Sequence, residues 1–183
     1  MNKMKKLVVL AAVVLLPVLG FAQGQVNFFT FNATNSSLGE VFQNNGSPAD
    51  STFFGQLYGG SVSNTASLIA EGTAANFTAS SGYINSGIVT VDNGAGGTTY
   101  FYEVRAWKGA ATYAAATTTP GAQWGKSAII QIVLGGGSPP APVPTANLQP
   151  NFTLNLNPVP EPSTIILGIL GGTALLLRRR KSA

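Results

Sequence analysis

Cysteine and histidine are both missing from this 183-residue chain. Without them no Ser-His-Asp or Cys-His nucleophile can be assembled. The usual ligands of a transition-metal site are gone as well. Disulfides cannot staple the fold, so its stability has to come from packing and backbone pairing. Charge is the second scarcity: Asp, Glu, Lys and Arg make up 9% of the residues. Those charges are unevenly placed. Lys3, Lys5 and Lys6 stand near the start, and Arg178, Arg179, Arg180 and Lys181 form a run near the end. Residues 23–157 hold only Arg105, Lys108 and Lys126, against Glu40, Asp50, Glu71, Asp92 and Glu103. Three cations against five acids give the interior a formal charge of −2. The basic character of the whole chain therefore belongs to its termini, and no basic patch is left for a nucleic-acid partner.

The remaining chemistry is thin. A glycosidase needs two opposed carboxylates, and no pair among the five interior acids is marked by spacing. Glu103 and Arg105 are two apart on one strand face, which predicts a surface ion pair. Asp92-Asn93 brings one charge to a glycine-rich stretch, which suits turn chemistry better than calcium. No glycine run is followed by Gly-Lys-Ser/Thr, so there is no phosphate loop. The sequence assigns no catalytic residue, no metal ligand and no cofactor.

The N-terminus is an address. After the three lysines, residues 7–16 form an unbroken apolar stretch, Pro17 breaks it, and Gly20-Phe21-Ala22 places small residues at the −3 and −1 positions. This is the layout of a secretory signal peptide cut between Ala22 and Gln23. It predicts the secretory translocon and signal peptidase as partners. With no twin arginine, the general secretory route is expected.

The C-terminus is a second address. Val159-Pro160-Glu161-Pro162 leads into residues 164–177, which are apolar or small apart from Thr164 and Thr173. As a helix this stretch reaches about 21 Å, short against a hydrocarbon core of about 30 Å. Arg178, Arg179, Arg180 and Lys181 then form a membrane stop that stays in the cytoplasm. The prolines on either side of Glu161 keep that tripeptide extended, as a processing enzyme requires. The arrangement resembles the PEP-CTERM sorting signal of exported bacterial proteins. The resemblance implies that an exosortase recognises Pro160-Glu161-Pro162, cuts near it, and releases the domain from a transient membrane helix. It further implies an association with exopolysaccharide or biofilm. Gly168 and Gly172 stand at GxxxG spacing, which short sorting helices rich in small residues also produce.

Between the addresses the hydrophobic period is two. Val26 and Phe28, Phe53 to Tyr58, the stretch 67–70, Gly87 to Val91 and the stretch 99–107 all read as strands. In the last of these, Tyr100, Tyr102, Val104 and Ala106 share one face, and Phe101, Glu103, Arg105 and Trp107 the other. Residues 128–134 read as a mostly buried strand. Residues 91–98 read as a glycine-rich hairpin loop. Residues 135–147 form a Gly/Pro segment that interrupts the pattern, and Phe152, Leu154 and Leu156 predict a returning edge strand rather than a stalk. The expected fold is all-β, a single antiparallel β-sandwich with a jelly roll as one form, flanked by a signal helix and a transmembrane helix. The expected parts are a signal peptide (1–22), the β domain (23–157), and the sorting signal (158–183) with its membrane helix at 164–177 and basic tail at 178–181.

Aromatic residues are the remaining binding candidates. Trp107 and Trp124, with Tyr58, Tyr83 and Tyr113, could offer flat faces to sugar rings; core packing is the competing role, favoured for Trp107 on its strand and evenly balanced for Trp124 between Gly121 and Gly125. The Asn-X-Ser/Thr matches at Asn32, Asn35, Asn45, Asn76 and Asn151 are what an Asn-rich, Ser- and Thr-rich chain yields by chance. Three functions are expected in order: a non-enzymatic surface or extracellular-matrix protein processed by an exosortase, a carbohydrate-binding module working through Trp107 and Trp124, and a glycan-active enzyme.

Overall fold

The computed structural model describes residues 23–78, 81–137 and 140–159. The expected signal helix, the cleavage residue Ala22, and everything from Pro160 onward lie outside them. The described residues are β-strands in mostly antiparallel sheets, with one helix of four residues, α1 (Tyr113–Ala116). Its N-cap is Thr112, whose hydroxyl accepts from Ala115 N–H at 3.2 Å.

The strands are β1 (Gln23–Phe29), β2 (Val41–Phe42), β3 (Phe54–Gly60), β4 (Ile69–Asn76), β5 (Asn85–Ala95), β6 (Thr99–Lys108), β7 (Gln123–Lys126), β8 (Ile130–Val133), β9 (Gly135–Gly136), β10 (Phe152–Thr153) and β11 (Asn155–Leu156). A three-stranded sheet runs β5-β1-β9, and a six-stranded sheet runs β11-β7-β6-β3-β4 with β8 also on β6. Parallel pairing is confined, among the described residues, to the short pair β10 with β2 and a single bridge between Asn27 and Thr145. β6 is the spine: it pairs with β3 along one edge and with β7 and then β8 along the other. Where β7 hands over to β8, Ser127 bridges the break. Its N–H donates to Val104 C=O and its hydroxyl accepts from Val104 N–H, each at 2.9 Å.

Alternation explains these elements. Val26 and Phe28 of β1, Leu57 of β3, and Tyr100, Tyr102, Val104 and Ala106 of β6 are all completely buried. They meet in one core with Val89 and Val91 of β5, Ile132 and Leu134 near β8, and Leu154 between β10 and β11. Each strand turns its apolar set to the same side, which fixes register, because a one-residue slip would expose the whole set.

Three expectations are corrected. Residues 91–98 are not a hairpin loop. β5 continues to Ala95 and pairs with β1, while β6 belongs to the other sheet, so the tight turn after Ala95 crosses between sheets. β6 already has β3 along one edge and β7 and β8 along the other, leaving none for β5. The Gly/Pro segment does not interrupt the fold: Gly135–Gly136 is β9, Asn27 N–H donates to Pro144 C=O at 2.8 Å, and Ala146 is buried. Glycine is required at 135, since a Cβ there would lie 2.4 Å from Val143 Cα. Residues 128–134 are half-buried rather than mostly buried, with Gln131 and Val133 exposed. The returning strand is present, split into β10 and β11 on two different sheets.

Candidate functional site

The second face of β6 organises the surface of interest. Register places Tyr58 opposite Glu103, Arg105 opposite Lys126, and Trp107 opposite Trp124. Directly paired residues share a face, so these six side chains stand on one side of the six-stranded sheet. The loop at 61–68 and α1 fold over it. The result is a second apolar cluster of Trp107, Tyr113, Ala116 and Ala122, flanked by Ala110 and Trp124. Tyr113 meets Trp107 and Trp124 edge-on, each with centroids 6.2 Å apart, the preferred aromatic geometry.

The charges on this face are tied down. Arg105 Nε donates to Glu103 Oε1 at 2.6 Å, and its Nη2 donates to Thr65 C=O at 2.9 Å. Its guanidinium lies 3.8 Å from the Tyr58 ring centroid and 5.3 Å from that of Tyr113. Thr65 donates its hydroxyl to Glu103 and accepts from Lys126 Nζ at 2.9 Å. The expected Glu103–Arg105 pair is therefore present, but it is not a surface pair: Glu103 is 1% exposed. Alternation placed it outward, and the loop at 61–68 then covered it. Burial also raises the Tyr113 phenol to about 12, with the Arg105 charge opposing the rise.

The structure separates the two tryptophans. Trp107 is 2% exposed, and its indole N–H donates to Ala110 C=O at 3.2 Å. A sugar-stacking platform at Trp107 is corrected accordingly, because neither face of its ring is open. Trp124 is half-buried, and its indole N–H donates to Asn157 Oδ1 at 2.7 Å. Tyr58 is half-buried beneath Arg105, and Tyr83 sits edge-on to Phe31 at 5.0 Å, in contact with neither tryptophan. The aromatic candidates are thus divided between two places.

Of the other acids, Glu71 is 1% exposed and accepts from Tyr100 O–H at 2.5 Å and from Asp92 N–H at 3.0 Å. Burial pushes its carboxyl above the usual range, and both hydrogen bonds pull the other way. Asp50, bonded by the Thr52 hydroxyl and N–H, is held below the usual range. Among the described residues, no three acids come together as a metal site would need. The Asx side chains are spent on turns: Asn32, Asn35, Asn45, Asp50 and Asn64 each accept from the N–H two residues on.

The chain leaves the domain through a residue that sequence reasoning did not single out. Asn157 donates from Nδ2 to Ala116 C=O at 2.7 Å and to Thr119 C=O at 2.8 Å, while Oδ1 takes the Trp124 indole. Its backbone donates to Ala122 C=O at 2.9 Å and accepts from Gly121 N–H at 3.1 Å. Its partners are 33 to 41 residues away in sequence, so no local pattern announces it. Val159, two residues on, is 63% exposed.

What begins immediately after Asn157 is decisive. A family model described as the PEP-CTERM protein-sorting motif matches residues 158–181. The tail is a sorting signal. The PEP-CTERM motif marks the chain as exported and sorted at the membrane toward the cell surface, with an exosortase as processing partner. The match includes Val159, Pro160, Glu161, Pro162 and the basic run from Arg178 to Lys181. No curated protein and no solved structure matches the chain significantly.

Proposed function

We propose that the chain is a non-enzymatic surface or extracellular-matrix protein associated with exopolysaccharide or biofilm. Residues 1–22 direct it to the translocon and signal peptidase. The exosortase cuts near Pro160-Glu161-Pro162 and frees it from a transient membrane helix at 164–177. Its two larger sheets, sharing one core, act as a single β-sandwich. The observation that carries this reading is the sorting motif joined without a spacer to a closed β domain. The absence of His and Cys from the whole chain supports it.

The test is intact mass and cell fractionation in a host with a matching exosortase. The expected product starts at Gln23, ends near Pro160–Pro162 and lies outside the inner membrane. A product that keeps Arg178, Arg179 and Arg180 and sediments with membranes would refute it.

A carbohydrate-binding role is the second reading, and partial exposure of Trp124 is what favours it. It expects saturable binding to an isolated exopolysaccharide that falls at least about tenfold in Trp124→Ala, the scale of one lost aromatic contact. A glycan array without hits would remove it.

A further inference from the structure

The exit at Asn157 sets a distance. From there to Pro160 is three residues, at most about 11 Å of fully extended chain. A domain of this size has a radius of gyration of about 14 Å. An enzyme that encloses several residues around Pro160-Glu161-Pro162 therefore cannot act without touching the domain beside Asn157. Five hydrogen bonds hold that residue in place, two through its backbone and three through its side chain.

The surface found there is of one character. Ala114 and Ala115 of α1, Thr118, Pro120 and Gly121 are exposed, and Asn157 Nδ2 binds the carbonyls of Ala116 and Thr119 among them. Val159 lies along it, since a Cβ on Gly121 would come within 3.2 Å of Val159 Cγ2. No charged residue occurs from 109 to 125. Residues 7–39 and 127–160 are free of charge as well; what sets this stretch apart is that Asn157 and Val159, the last residues before the segment to be cut, lie against it.

We infer that the uncharged face made by α1, residues 117–121 and Val159 is the surface on which the exosortase seats, with Asn157 setting how far Pro160-Glu161-Pro162 stands from it. The inference rests on reading the tail as an exosortase substrate. Seating on a neutral, small-residue face needs no desolvation of charge on this side of the contact. The fixed exit limits how far the cleavage motif can lie from this face, which lowers the ordering cost of binding it.

The test is the processing half-time of the full-length protein, by pulse-chase and intact mass, in a host with a matching exosortase. Loss of the tail only when the exosortase is present establishes the underlying reading; no enzyme-dependent loss removes that reading and the inference with it. Given processing, Thr118→Arg and Thr118→Glu are each expected to slow it by at least about fivefold, the effect of one misplaced charge in a contact. Ala114→Arg, on the neighbouring turn, is expected to do the same. A six-residue Gly-Ser insertion between Val159 and Pro160 should relieve the added slowing, so that each variant is processed at the rate of the parent carrying the same insertion. Ile88→Arg, at an exposed position of β5 in the other sheet, should leave it unchanged. Thr118 and Ala114 variants that are folded and processed at the parental rate would overturn the inference. So would slowing that the insertion fails to relieve. A rate lowered by Glu but not by Arg would also overturn it, because it would assign the face to anionic lipid headgroups.

Discussion

The two faces of β6 began as the same pattern and ended differently. Tyr100, Tyr102, Val104 and Ala106 meet other apolar side chains and form the centre of the core. Glu103, Arg105 and Trp107 point the opposite way, where alternation predicts water, yet Glu103 and Trp107 are as closed to solvent as a core residue. The first face is buried by a sheet, the second by a loop and a helix of one turn. A sheet can cover a strand with apolar contact alone, because its own backbone is satisfied within the ladder. A loop carries free backbone groups, and here polar side chains receive them: Arg105 takes Thr65 C=O and Asn157 takes those of Ala116 and Thr119. The lesson is that the few polar and charged side chains on this face fasten irregular segments to the sheet.

Several substitutions test that contrast. On the first face, Tyr102→Ala should lower unfolding free energy by about 4 kcal/mol, as for other large aromatic truncations in a core. It should also shift the whole cooperative transition in urea. On the second face, Glu103→Ala leaves Arg105 largely buried without its carboxylate and should cost about 3 kcal/mol. The distinguishing sign is local: the loop at 61–68 should gain amide exchange out of proportion to the global change. A core-like response, with uniform exchange, would abolish the distinction between the faces. Asn157→Ala removes three side-chain hydrogen bonds at the exit and should cost about 2 kcal/mol. A red shift in Trp124 fluorescence should accompany it as the indole loses its partner.

The smallest effect is one of pH. The Glu71 carboxyl is raised by burial, so the folded state favours its neutral form. That contribution is complete below the ordinary value of 4.5 and is lost as pH climbs through the raised folded value. Asp50 works in the opposite sense, adding stability above 3.8 that is lost in more acid solution. Glu71→Gln should therefore flatten the fall of stability on the alkaline side of pH 4.5 and leave the acid limb in place. An unchanged alkaline limb in urea titrations across this range would contradict the assignment.

How much was legible follows from what each feature depends on. β1, β3, β5 and β6 could be read because their alternation is local and long enough to count. β2 and β9, of two residues each, have no period to read. The turn after Ala95 looked like a hairpin because glycines adjoin two strong strands, and nothing local says that those strands enter different sheets. The Gly/Pro segment looked like a linker, whereas its glycines permit backbone contact, as at Gly135 against Val143. The sorting motif was fully legible, being contiguous. Core packing was the favoured role for Trp107 and its burial agrees, but the burial of Glu103 was not legible, because it depends on Thr65, which lies elsewhere in the chain.

The order of strands in the three-stranded sheet has a temporal meaning. β1 is the earliest of the described strands in the chain and is the middle strand, held between β5 and β9. Its partners begin at Asn85 and Gly135, so the sheet cannot close until most of the domain has been synthesised. Chains dominated by such distant pairings fold slowly. For a protein destined for export, slowness keeps the nascent polypeptide thin and threadable, and the last strands to arrive, β10 and β11, complete the structure just before the sorting motif follows.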